Sequence, residues 1–600
     1  MSRANTLVIG AGIAGCAAAR ALTDAGQSVV VLEARDRVGG RIHTVNGYDV
    51  GAHWIHGTEG NPLTTLARQW DMPLLFVGGD SSYIGGWDRM EFPHRSENGG
   101  KGVDKDRSII AADRLFDALD HQRGSEAGDM SFADAADVTI AALGLSPAEA
   151  AAARWHVNLL ARDDWAADPA TLSSRHWDEG YELHGYGDSV LACGMQPLVE
   201  RLAAGLDIRF GAVVHAVAHG VSGVRVSAAG QDYCADRAVI TLPLGVLKAG
   251  SVAFDPPLPA AKQAAINRLG FGALAKVKLR FATPHWPRHI YVFGLDSPPG
   301  LHAPAVAVND IPVSGMPALT LPIGAPDSHV IETMTPAALH DWAMAILRHN
   351  FGSHLPEPTA IEVTGWTSDP WARGTYSYVA TGGDATDFAT LAQPVGDSLW
   401  FAGEATSPHQ WATMHGAYIS GLSAAAQMTG DPALLPPLHF TENRRWRMQM
   451  TRANRFLNLR RAELGADEIA RRVALLSAAV VFAHADRSEL AMLATMLEEQ
   501  QLAAGEVLCR PGDKADKVFL VASGGLTVVD AAGASIDAVQ AVALTGEYGM
   551  FGALRRTAGL VAIGDTTLLT LDYSRFRRFL LAFPQTALDL LGAGIDRLLR

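Results

Sequence analysis

A chain of 600 residues is too long for one hydrophobic core, so two or three domains are expected. Its apolar share of 48% excludes wholesale disorder, and a formal charge of −14 argues against a general nucleic-acid binder, which needs a net positive surface. The cysteines Cys16, Cys193, Cys234 and Cys509 form no CxxC pair and show no zinc-ligand spacing, so neither a metal site nor a disulfide framework is expected.

The N-terminus enters Leu7-Val8-Ile9 without a charged lead or a small-residue cleavage site, which reads as a buried strand and not a signal peptide. No stretch has the roughly 18 unbroken apolar residues of a membrane span, so a cytoplasmic chain without membrane contact is expected. Gly10-Ala11-Gly12-Ile13-Ala14-Gly15 follows, then an alanine-rich helical stretch to Leu22. Gly10, Gly12 and Gly15 allow a tight turn, a close approach to a pyrophosphate and close helix–strand packing. A second apolar run, Val29 to Leu32, ends in Glu33, placed to accept a hydrogen bond from a ribose 2′-OH. The full βαβ dinucleotide pattern is therefore present.

Gly39-Gly40-Arg41 comes next and resembles the GGR segment of the flavin-containing amine oxidase and phytoene desaturase group. There the arginine approaches the FAD phosphates, a role suited to a fixed fork of donors and carried here to Gly40 and Arg41. Gly51-Ala52-His53-Trp54-Ile55-His56-Gly57 is similar to the GASWIHG segment of polyamine and spermine oxidases. That resemblance places His56 at a substrate channel near the flavin and gives His53, which replaces a small polar residue, no role. Arg107 to Ala170 is alanine-rich at helical spacing and predicts a helical lobe. Asp178, Glu179 and Glu182 sit where relatives place acids that meet a substrate ammonium, although acids in a loop are usually just solvated. Val214, in a strand-like run, is an expected adenine-side backbone contact.

Lys276, Lys278 and Arg280 alternate with Val277, Leu279 and Phe281, the period of a strand with one charged face, which is ordinarily solvated. The segment from Gly270 to Val277 resembles GFGxLNKV of polyamine oxidases and histone demethylases, and the resemblance singles out Lys276 as the residue holding a water against flavin N5. Asp369 to Tyr378 resembles DPxxRGSYSY, making Tyr376 a candidate wall of an aromatic slot. No cysteine lies near this segment, so non-covalent FAD is expected. Leu399 to Thr406 and Met414 to Gly421 resemble FFAGEATS…HGAYLSG, with Gly403 and Glu404 delivered to the cofactor. Several relatives have a tyrosine just before HGA; here Thr413 stands there, and Trp411 is the other candidate for the second wall.

Past Pro436-Pro437 an arginine-rich stretch reads as a basic linker helix over 431–472. From about Val473 to Arg600 the chain resembles a cyclic-nucleotide-binding domain, on Phe482, Ala504-Gly505-Glu506, Pro511-Gly512-Asp513, Val518 to Val521 and Ser523-Gly524. Gly546-Glu547 and Arg556 stand where that family holds ribose and cyclic phosphate. Many domains of this fold bind no nucleotide, so ligand binding stays open, and a regulatory or homodimerising module is expected.

The fold class is α/β. A Rossmann-type FAD-binding domain (about 1–85, 190–250 and 375–430) interleaves with an α+β substrate domain (about 86–189 and 251–374), and a C-terminal β-barrel of cyclic-nucleotide-binding type follows. The resemblance implies hydride transfer from an amine to flavin, with oxygen as final acceptor and hydrogen peroxide as product. Lys276, His56 and Tyr376 would stand at the amine, with polyamines favoured. Monoamine or L-amino-acid oxidation is the alternative within the class, and a non-catalytic flavoprotein scaffold or redox sensor the alternative outside it.

Overall fold

The computed structural model describes residues 4–56, 60–78, 111–122 in part, 128–177, 188–436 except 289 and 303, 464–546 except 483, 484 and 486, 555–573 and 576. The chain divides into two compact units, Met1–Glu442 and Asn443–Arg600.

In the first unit, strand β1 (Ala4–Ile9), helix α1 (Ile13–Asp24) and strand β2 (Val29–Leu32) form the expected βαβ turn. Strands β1 and β2 pair in parallel, Val8 opposite Val31, and β1 also pairs in parallel with strand Gln231–Ile240. This central position leaves β1 no free edge, and a packed core covers each of its faces. Leu7, Val8 and Ile9 are almost wholly buried, each burial worth about 1.5–3 kcal/mol. Strand Leu399–Phe401 pairs in parallel with the end of Gln231–Ile240, so Gly403-Glu404 emerges at the same sheet edge as the glycine turn. Ligands of open α/β sheets collect at that carboxyl edge.

Helix Met414–Thr429 packs along α1 at unusually close range. A methyl group on Gly421 would lie 2.2 Å from the Ala14 carbonyl oxygen, so only glycine lets the two backbones touch. Gly15 has the same duty toward the glycine turn, where an added methyl group would meet the Gly10 carbonyl oxygen at 2.0 Å.

An antiparallel sheet in the order 292–294, 306–309, 318–324, 274–280, 360–363 forms the second layer. Helix Pro336–Phe351 covers one face, with Val277, Leu279 and Phe281 in the core between them. The opposite face carries Lys276 and Lys278, and here the structure corrects the expectation of a solvated charged face. Lys278 is buried, its Nζ 2.5 Å from Asp310 and 3.5 Å from the centre of the Tyr48 ring. The charge of Lys278 is thus compensated by an acid and a π-face instead of by water.

Helices Phe132–Ala142 and Pro147–Asn158 form the expected helical lobe, the second closed at its N-terminus by a Ser146–Glu149 capping box. A π-helical turn, Leu159–Asp164, continues the second helix. A small sheet joins Ile55–His56, Leu74–Gly78 and Asp188–Leu191, setting His56 directly opposite Asp188.

The second unit has two four-stranded sheets, ordered 498–502, 566–572, 517–523, 543–545 and 507–509, 559–562, 525–529, 535–540. Helix Ala466–Ala478 runs across the expected 472/473 boundary. Arg472 of this helix donates to the carbonyls of Ala494 and Leu497, tying it to helix Arg487–Met496. Most of the expected linker helix lies outside the described residues. Among the described residues, no helix is long and apolar enough to cross a membrane.

Substituting Gly421→Ala forces helix Met414–Thr429 away from α1. The unit is expected to lose about 1–3 kcal/mol, read as a lower thermal unfolding midpoint.

Candidate active site

A cavity of about 370 Å³ opens where the carboxyl ends of the parallel strands meet the starts of α1 and of helix Met414–Thr429. Gly10, Gly12, Glu33, Gly40, Arg41, Val214, Tyr376, Gly403, Glu404 and Thr413 all line it. Gly15 does not, since its place is the packing contact described above. Glu33 is buried and accepts from the Ala11 N–H at 2.7 Å and the Arg35 N–H at 2.8 Å, which fixes an acid at one end of the groove. Two helix N-termini, at Ile13 and Met414, bring their positive dipole ends to the groove, the setting a pyrophosphate needs. Thr413 caps the second of these helices, its Oγ accepting from the Gly416 N–H at 2.9 Å and donating to the Gln410 carbonyl at 2.7 Å.

Glu404 joins the groove's walls. Its carboxylate accepts from Arg41 at 2.8 Å, Ser377 Oγ at 2.5 Å, Ser377 N–H at 3.2 Å and Ala412 N–H at 3.0 Å. Arg41 also donates to the Thr375 carbonyl at 2.5 Å and stacks over Phe271. Beside Glu33, Arg35 forms a two-pronged pair with Asp369, at 2.7 and 2.9 Å.

A second cavity, of about 150 Å³, adjoins the first and shares Arg41, Ala52, Thr375, Tyr376, Ala412, Thr413 and Met414 with it. Lys276, His56 and Tyr376 converge there. Lys276 Nζ donates to the carbonyls of Asp49 at 3.0 Å and Gly51 at 2.6 Å, and burial pushes its pKa down to about 8 against the pull of Asp49 and Asp310. His56 Nδ1 lies 3.0 Å from Asp188 Oδ1. The Tyr376 hydroxyl donates to the Asp163 carbonyl at 3.1 Å.

Several cavity residues were not marked by the sequence. The π-helical turn places Asp163, Asp164 and Trp165 on the wall. The Asp163 side chain keeps one oxygen, Oδ2, shut away from solvent and without a hydrogen-bond partner among the described residues. Burial pushes this carboxyl well above the usual carboxylate range, against the pull of Arg162. Arg162-Asp163-Asp164 falls inside the stretch expected as a helical lobe, and nothing in three successive charged residues marks that they are carried inward.

Trp411 is not a wall of the cavity, which corrects the sequence expectation. It is buried against Phe388, with ring centres 4.5 Å apart and planes 15° apart, and Trp165 occupies the wall beside it. Asp178, Glu179 and Glu182 lie outside the described residues, as does Glu547 in the second unit. Arg556 is buried. It donates to the carbonyls of Lys517 at 2.7 Å and Gly546 at 3.3 Å and stacks on Phe519, so its guanidinium is engaged within the domain.

The family model of flavin containing amine oxidoreductases matches residues 13–429. The chain belongs to that family. Polyamine oxidase 2 of Arabidopsis thaliana is 34% identical over 433 residues, covering 70% of this chain and 87% of the relative. Polyamine oxidase 4 of Oryza sativa subsp. japonica is 35% identical over 434 residues, covering 70% and 88%. Lysine-specific histone demethylase 1 homolog 2 of Arabidopsis thaliana is 35% identical over 448 residues, but this chain spans 58% of it. Among solved structures, a putrescine oxidase bound to putrescine superimposes with a TM-score of 0.58 at 22% identity, covering 72% of this chain and 99% of that one, and shows the same fold. Residues 499–583 match the cyclic nucleotide-binding domain model, so the family member carries that domain at its C-terminal end.

The cofactor of this flavin amine oxidoreductase is FAD. The groove fits it: a glycine turn and helix ends would hold the pyrophosphate, and the buried Glu33 would meet a ribose hydroxyl. None of the four cysteines lines either cavity.

Glu404→Gln removes the charge that holds Arg41 while keeping the shape. A loss of about 1–3 kcal/mol is expected, with a lower flavin-to-protein ratio after gel filtration. Because the folded pKa of Lys276 lies below its unfolded value of 10.5, the folded chain binds fewer protons between about pH 8 and 10.5. Stability contributed at this site therefore rises with pH across that window. Lys276→Met should abolish this rise, measured as the difference between the two proteins' denaturant midpoints at pH 8 and pH 10.

Proposed function

We propose that this chain oxidises an aliphatic di- or polyamine at a carbon next to nitrogen. The observation that carries this reading is Asp163. A half-buried carboxyl in the wall of an aromatic cavity, bonded to the Ala305 N–H but with its Oδ2 shut from solvent and unpartnered among the described residues, is a costly arrangement unless a cation completes it. A second ammonium on the substrate supplies that cation, ionises Asp163 and fixes which carbon faces the groove. The polyamine oxidase relatives, matched over nearly nine-tenths of their own length, support the same class.

Bound in the groove, the flavin supplies the hydride acceptor, with oxygen as the final oxidant. The protein's part is position and electrostatics. Tyr376, anchored to the Asp163 carbonyl, and Trp165 hold the chain of the amine away from bulk water. Lys276 has two acceptors in the carbonyls of Asp49 and Gly51, and its ammonium leaves a third N–H to order a water in the smaller cavity. The reacting nitrogen must be a free base, since a protonated nitrogen has no lone pair to support the developing iminium.

The histone demethylase relatives favour a second reading, in which the amine is a modified lysine side chain of a peptide. One set of measurements separates the two. Under anaerobic conditions spermine, spermidine or an acetylated polyamine is expected to bleach the flavin band faster than benzylamine or a methyl-lysine peptide does. Asp163→Asn is expected to raise the KM for spermine about 10- to 100-fold and leave benzylamine unchanged. Bleaching by the peptide alone would transfer the lead to the second reading.

A further inference from the structure

Two pieces of backbone meet at the amine cavity. One is strand Leu274–Arg280, which carries Lys276. In its antiparallel ladder Lys276 lies opposite Pro322 and Leu274 opposite Gly324, so these four positions share one face of the sheet. Leu274, Lys276 and Pro322 line the cavity, while Gly324 continues their row without a side chain. The other piece is the π-helical turn Leu159–Asp164, which brings Asp163, Asp164 and Trp165 to the wall.

The turn is seated on that sheet through two glycines. A methyl group on Gly324 would overlap the Arg162 carbonyl oxygen and lie 2.5 Å from its carbon. One on Gly272 would lie 2.7 Å from the Ala166 carbonyl oxygen and 2.9 Å from that of Trp165. Directed bonds hold the same arrangement: the Ala273 N–H donates to the Ala166 carbonyl at 2.9 Å, Arg162 pairs with Asp327 at 2.5 Å, and Trp165 Nε1 donates to the Trp177 carbonyl at 2.7 Å. Ala166 leaves the turn at a φ of 50°, a conformation that a residue with a side chain keeps only where its surroundings dictate it.

We propose that Gly324 and Gly272 are positioning residues for substrate selection: by admitting the turn's backbone against the Lys276 strand, they set how long an aliphatic amine the cavity accepts. This rests on the amine oxidation reading above. Neither glycine lines either cavity, so each acts only through the turn. A side chain at either position regains ordinary contact distance only if the turn moves off the strand by about 1 Å or more. Asp163 and Trp165 adjoin the displaced residues and move with them, which opens the cavity. A shift of that size is comparable to one methylene, and a single methylene in an apolar pocket is worth about 10- to 200-fold in kcat/KM.

The test is kcat/KM of the full-length holoenzyme for the α,ω-diamines from propane-1,3-diamine to octane-1,8-diamine, followed by oxygen consumption. The wild type should peak at one chain length. Gly324→Ala should move the peak to a diamine longer by about one methylene, with kcat/KM for the former optimum falling about 10-fold or more. Gly272→Ala crowds the turn less severely and should move the peak the same way; it is the variant to read if Gly324→Ala does not retain flavin. A merely structural loss would lower all the diamines alike and leave the peak in place. That result, a peak displaced to shorter chains, or a wild-type profile without a peak would overturn the proposal while leaving amine oxidation intact. Failure of the wild-type protein to turn over any amine would overturn both.

Discussion

A carboxylate withdrawn from water must find donors for its lone pairs or give up its charge. Glu404 finds them by drawing three distant stretches of chain onto one point: Arg41 behind the glycine turn, Ser377 beside the Tyr376 wall, and Ala412 just ahead of the second capping helix. The two helix N-termini, the glycine turn and the aromatic wall are consequently fixed relative to one another. Without that convergence the groove would be a set of loops, and the amine cavity would lose the walls it shares with the groove.

Close backbone contact serves the same end. At Gly421 the helix that begins at Met414 touches α1, so both point their N-terminal dipoles at one region. The neighbouring layer then presents its charged strand face inward. Lys276 and Lys278 alternate with the core side chains by strand periodicity, and burial forces each to find a partner, carbonyls for the first and Asp310 for the second. Register in that strand is therefore a chemical constraint as well as a packing one.

Much of this was legible in the sequence because the groove is built from short segments whose chemistry is local. Glycines at a strand end, an acid closing the next strand and an arginine after a glycine pair each reveal their place through spacing. The residues that sequence reading missed or misplaced depend on non-local geometry. Asp163 and Trp165 reach the cavity because a helix widens into a π-turn at its end, and nothing in Leu-Leu-Ala-Arg-Asp-Asp marks that widening. Trp411, in the turn ahead of helix Met414–Thr429, is turned away by a stacking partner, Phe388, on helix Thr386–Ala392. The solvated reading of Lys278 failed because periodicity reports which residues share a face but not what covers it.

The shared boundary of the two cavities implies an order of assembly. Seven residues belong to both, so whatever occupies the larger space becomes part of the enclosure of the smaller. Once the cofactor is seated, the same side chains become a chamber of fixed depth. Selectivity among amines is therefore a property of the loaded protein and not of the polypeptide alone, and the chain has no means of choosing its substrate before it has acquired its oxidant.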